Sequence, residues 1–176
     1  MKDSLSKYLP EFVYGGIDGT VTTFAVVSAS LGASLSSAIV LILGFANLFA
    51  DGFSMAVSNY LSSKSEKDLL SKHRHKHQHY QKNPKKTALA TFAAFLIVGF
   101  IPLISFVIAP LIPHVSNNKF LYSSILTALA FITIGYTKGK VTQKSCKKSS
   151  LETLIIGGTA AVIAFLVGFF LKNFVL

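Results

Sequence analysis

Five runs of about 20 apolar residues fill most of this 176-residue chain. A run of that length fits the hydrocarbon core of a bilayer, where a helix closes its backbone hydrogen bonds within the segment. The sequence therefore predicts an all-α integral membrane protein. Its five transmembrane helices are expected near residues 12–33, 37–61, 87–111, 120–138 and 151–172. Only 14% of residues are charged, against about 25% in soluble domains. The whole chain reads as one transmembrane domain, residues 1–176, with a His- and Lys-rich loop at 62–86 and nothing left for a separate soluble unit.

The net charge of +10 raises the question of nucleic acid, but its placement answers otherwise. Lys2 and Lys7 precede the first span, eight Lys/Arg lie between spans two and three, and five lie between spans four and five. Only Lys119 and Lys172 fall on the other side. That asymmetry follows the positive-inside rule. It predicts a cytosolic amino terminus, two cytosolic basic loops, and a carboxyl terminus outside. The basic loops serve topology and contact with anionic lipid; no nucleic-acid partner is expected. Cys146 is the sole cysteine, which excludes an intrachain disulfide and a thiolate cluster. The first span resembles a signal peptide only superficially, because it is too long and holds an aspartate in its apolar core; it is expected to be retained.

Asp18 and Asp51 lie inside spans one and two. Each costs about 2.5–3.5 kcal/mol at a bilayer centre, so such acids mark binding or proton transfer. No Lys or Arg sits at their depth to pair with them. Asn47, Asp51, Met55 and Asn59 recur every four residues, and residues four apart share a helix face. Oxygen and sulfur donors in one row suit a borderline or soft divalent metal, and the Met55 sulfur disfavours magnesium and calcium. The link around Ser34–Ser37 is short enough to make spans one and two an antiparallel hairpin. Counting inward from the basic ends puts Asp18 at about 9 Å depth, level with Met55, and Asp51 one turn deeper. Gly15 and Gly19 have the spacing that lets membrane helices approach closely.

Pro102 is expected to kink span three and free a carbonyl; spans three to five are read as packing and anchorage. The loop 62–86 holds His73, His75, His77 and His79 at alternate positions. In a helix they form two four-residue pairs, and extended they share one face. Both arrangements can bind a divalent metal with modest affinity. A solvated basic loop without that role is the alternative.

These residues resemble the vacuolar iron transporter family. Ile17-Asp18-Gly19-Thr20-Val21-Thr22-Thr23-Phe24-Ala25 resembles its first-helix motif. Phe45-Ala46-Asn47-Leu48-Phe49-Ala50-Asp51-Gly52-Phe53-Ser54-Met55-Ala56, with Asn59-Tyr60-Leu61 and Lys64-Ser65-Glu66, resembles its second-helix motif. Gly99-Phe100-Ile101-Pro102-Leu103 and Gly135-Tyr136-Thr137-Lys138-Gly139-Lys140 are similar to its third- and fourth-helix signatures. The resemblance implies a five-helix homodimer that moves ferrous iron, and often manganese, out of the cytosol in exchange for protons. The path would follow the dimer interface between first and second helices. It matches Asp18 and Met55 to family positions and places Glu11, seven residues before Asp18, at the cytosolic entrance. Two features depart from the family. Asn47 stands where an acid is common, the acid being one turn away at Asp51. The linker is also too short for the glutamate-rich insert of better-known members, a role the His tract could take over.

The expected function is thus export of divalent transition metal from the cytosol, with ferrous iron first and manganese, zinc, nickel or cobalt as further candidates. Asp18 and Asp51 would take up protons when metal leaves. The metal is substrate, and no tightly bound cofactor is expected. A membrane-bound sensor or buffer working through the His loop is the alternative. No enzyme is expected, since the spans offer no Ser/His/Asp or Cys/His arrangement. The small size suggests a prokaryotic cytoplasmic membrane, with an acidic organelle membrane as the alternative.

Overall fold

The computed structural model describes residues 7–72 and 82–175, and every regular element in them is helical. Helix α1 spans Leu9–Gly32, α2 Ser37–Lys72 and α3 Pro84–Gly99. A 3-10 turn at Ile101–Leu103 leads into α4, Ile104–Ile108. Short α5, Pro113–Asn117, precedes α6, Lys119–Val141, and α7, Cys146–Val175. Among the described residues, five stretches are long and apolar enough to cross a membrane: Leu9–Gly32, Ser37–Leu69, Pro84–Ile108, Lys119–Val141 and Cys146–Phe174.

Helix starts and stops follow local chemistry. Pro10 sits in the first turn of α1 and Pro84 in that of α3, where a missing N–H costs nothing. Asn83 caps α3, its Oδ1 accepting from Lys85 N at 3.0 Å and Lys86 N at 3.4 Å. Pro102 breaks the third span into α3, the 3-10 turn and α4. Ser123 of α6 donates to the Pro102 carbonyl at 2.6 Å, so the irregular backbone is satisfied from a neighbouring helix. The loop expected over 62–86 starts later than its composition suggests: α2 runs on to Lys72. Its sequence from Ser62 to Lys72 has no Pro or Gly and includes three Lys, two Leu and a Glu, so nothing stops the helix where the apolar run ends.

Helix α1 is the central post. It packs most extensively on α3 and α7, and also touches α2 and α6. The α1–α3 contact is a backbone-to-backbone crossing. A Cβ on Gly19 would lie 2.6 Å from the Phe95 carbonyl oxygen, and one on Gly99 2.8 Å from that of Gly19. Gly15 meets the Thr91 carbonyl in the same way, so the Gly15/Gly19 pair packs against α3. Around this crossing lies the apolar core of Phe24, Val27, Val40, Leu48, Phe95, Leu103, Phe106 and Ala161. Helix α2 leans on it through Gly44 against Leu103 and Gly52 against Phe92 and Phe95, while Leu48 contacts Gly99.

Candidate functional site

The α1–α2 hairpin turns at Ser34, which takes a left-handed backbone (φ 57°). Antiparallel helices folded about one point place mirror-related positions at the same height. Asn47 of α2 donates through Nδ2 to Thr22 Oγ1 of α1 at 3.3 Å. One turn toward the basic end from each lie Asp51 and Asp18, close enough for their charges to interact. Asp18 is therefore level with Asp51, and Met55 lies one turn nearer the basic end. The expected match of Asp18 with Met55 was one turn out, because counting from the frayed ends of apolar runs is less exact than reflecting through the turn.

Asp18 is half-buried, whereas Asp51 is exposed on the outer face of α2, with Phe49 and Phe53 as exposed neighbours. Thr22 joins the group from α1: its hydroxyl donates to the Asp18 carbonyl at 2.9 Å and accepts from Asn47. The sequence shows Thr22 only as part of the first-helix motif, although its place four residues after Asp18 puts it on the same face. Met55 is half-buried and packs against the core cluster. Asn47 also lines an open groove of about 580 Å³ between α1, α2 and α7, which includes Ser30, Ala46, Ala50 and Gly168.

Asn59 turns away from this group. It donates to Thr91 Oγ1 of α3 at 2.7 Å. Each four-residue step rotates about 40° past a full turn, so by Asn59 the row has swung about 120° from Asn47. The four-residue row is thus a spiral that begins beside α1 and ends against α3.

Glu11 lies two turns before Asp18 and is mostly buried. Its Oε1 accepts from Lys82 Nζ at 2.5 Å, an ion pair joining positions 71 apart. His73, His75, His77 and His79 lie outside the described residues. Among the described residues, no group of three or more His, Cys, Asp or Glu side chains could hold a metal. Carboxylate, thioether and amide are donor types that a divalent transition metal accepts.

The chain resembles known proteins along most of its length. A vacuolar iron transporter of Toxoplasma gondii is 26% identical over 227 positions, covering 95% of this chain and 75% of that protein. One from Plasmodium berghei is 25% identical, with 97% and 85% coverage. Vacuolar iron transporter 1 of Arabidopsis thaliana is 26% identical, with 88% and 82% coverage. These alignments are longer than the chain itself, so the relatives carry residues that it lacks. The VIT family model matches in two segments, residues 9–83 and 75–169, which meet in the linker between α2 and α3. With both hairpin motifs and the later helices inside the match, the chain belongs to the VIT family.

Proposed function

We propose that this protein carries divalent transition metal, ferrous iron first, from the cytosol across its membrane in exchange for protons. The observation that carries the reading is the Asp18–Asp51 pair. Two carboxylates stand near one level of adjacent membrane helices, with no Lys or Arg in residues 12–33 or 37–61. Acids so placed are expensive unless they bind a cation or a proton. Iron is the metal named in the relatives' descriptions, and as a divalent ion it suits these oxygen-and-sulfur donors, as do manganese, zinc, nickel and cobalt.

The basic ends of the helices face the cytosol in this reading, as the positive-inside rule requires. Metal enters past Glu11, reaches Asp18 and Asp51, and leaves along the groove beside Asn47. Metal and protons compete for the carboxylates: metal displaces protons on loading, and protons from the far side release it. The exposed position of Asp51 favours a homodimer, in which the outer faces of two α2 helices complete the site. The vacuolar relatives favour an acidic organelle membrane over a prokaryotic cytoplasmic one. Transport away from the cytosol is topologically the same in both.

Uptake into proteoliposomes with an acidic lumen tests this directly. Wild type is expected to accumulate ferrous iron in proportion to the pH gradient, and Asp18→Asn to lose that uptake while remaining folded. Normal gradient-dependent uptake by Asp18→Asn would sink the proposal. Deletion of residues 73–79 is expected to leave uptake in place; abolished uptake would transfer the function to the His tract.

A further inference from the structure

The Glu11–Lys82 pair has a geometry that a stabilising surface bridge would not need. Both side chains are largely enclosed, at 12% and 27% exposure. Lys82 occupies Oε1 only. Oε2 of Glu11 is buried and accepts no hydrogen bond among the described residues. A buried carboxylate oxygen normally finds a donor; one that pairs with none of the described residues, next to a displaceable cation, is an acceptor that a second cation can use. The position of Lys82 is fixed from the α3 side. Asn83, the next residue, caps α3 and donates its backbone N–H to the Tyr8 hydroxyl at 3.1 Å. The ammonium is thus held over the first carboxylate that a cation meets on α1 before Asp18.

We propose that Lys82 is a built-in competitor for metal at Glu11, setting how readily a divalent cation enters the α1–α2 path. The inference rests on the transport reading above and deepens it. At rest Lys82 neutralises the acid and covers one oxygen. An arriving divalent cation takes both oxygens and displaces the ammonium, whose four-carbon stem can swing toward water without backbone change. The competition sets the apparent affinity of the entrance and leaves the later crossing step untouched. Lys82 is a positioning and specificity residue, since monovalent cations have too little charge to evict it.

The test compares Lys82→Gln, Lys82→Arg, Glu11→Gln and Glu11→Gln/Lys82→Gln in two assays. In proteoliposome uptake of ferrous iron, Lys82→Gln is expected to lower KM about 3- to 10-fold with unchanged maximal rate. Lys82→Arg should stay near wild type. Glu11→Gln should raise KM, and in its background Lys82→Gln should have no further effect. Mn2+ binding to the purified protein, read by electron paramagnetic resonance, should show the same order. An unchanged or raised KM and dissociation constant in Lys82→Gln would overturn the proposal, as would an equal gain in the Glu11→Gln background. If wild type moves no metal the transport reading falls, and the Mn2+ assay alone then upholds or overturns the competition at Glu11.

Discussion

Helix α1 makes two seams of opposite character. Against α3 it is glycine to backbone, with Gly15, Gly19 and Gly99 leaving no room for a side chain. Against α2 it is polar and partly open, joined by Asn47 to Thr22 and bordered by Asp18 and Asp51. In lipid, where burying apolar area gives helices no advantage over the tails, close backbone approach is what holds them together. The α3 seam is therefore the rigid wall, and chemistry sits on the seam that packing leaves loose. The same helix supplies both from adjoining stripes: Asp18 and Thr22 lie about 60° round the helix from Gly15 and Gly19.

Exchanging the characters of the two seams should separate stability from transport. The largest effect is expected for Asp51→Asn, which should cut ferrous iron uptake by more than about 100-fold, beyond what outer partners of metal ligands carry. Its thermal midpoint in detergent should stay within a few degrees of wild type. Gly19→Ala should do the reverse, costing about 1–3 kcal/mol by overpacking against the Phe95 backbone. Thermal unfolding reads that loss, and a normal midpoint would mean that the crossing is looser than drawn. Thr91→Val removes the acceptor for Asn59 and should cost about 0.6 kcal/mol, the mean for interhelical bonds in membranes. A loss of uptake there without loss of stability would instead return Asn59 to the metal path. The smallest effect belongs to the hinge of the hairpin. Ser34→Gly relieves a left-handed serine and should raise stability by about 0.5 kcal/mol, again read as a thermal midpoint.

Apolar run length found the five spans, because the bilayer imposes length directly. It did not find the extension of α2 to Lys72, since hydropathy reports lipid and says nothing about a helix continuing into water. The acids were visible as anomalies against an apolar background, on the two helices of one hairpin. Their register was one turn out, although reflection through Ser34–Ser36 would have found it from sequence alone. Asn59 is a case where a four-residue row was read as one face over a length at which it has rotated to another. The Glu11–Lys82 contact had no local signal: two residues 71 apart meet only because α3 starts beside the start of α1.

Helix α2 runs unbroken for 36 residues, about 54 Å, and its bond to α1 lies nearer one end. Between that bond and the far tip, Asn59 also ties α2 to α3, which makes the helix a lever with Asn59 as pivot. Lys72 stands about 20 Å from the pivot and Asp51 about 12 Å on the other side. A tilt of about 10° that sweeps the far tip through roughly 3.5 Å would shift Asp51 by about 2 Å the opposite way. Excursions above the membrane thus reach the carboxylates reduced and reversed, on the scale at which a metal ligand either reaches its ion or misses it.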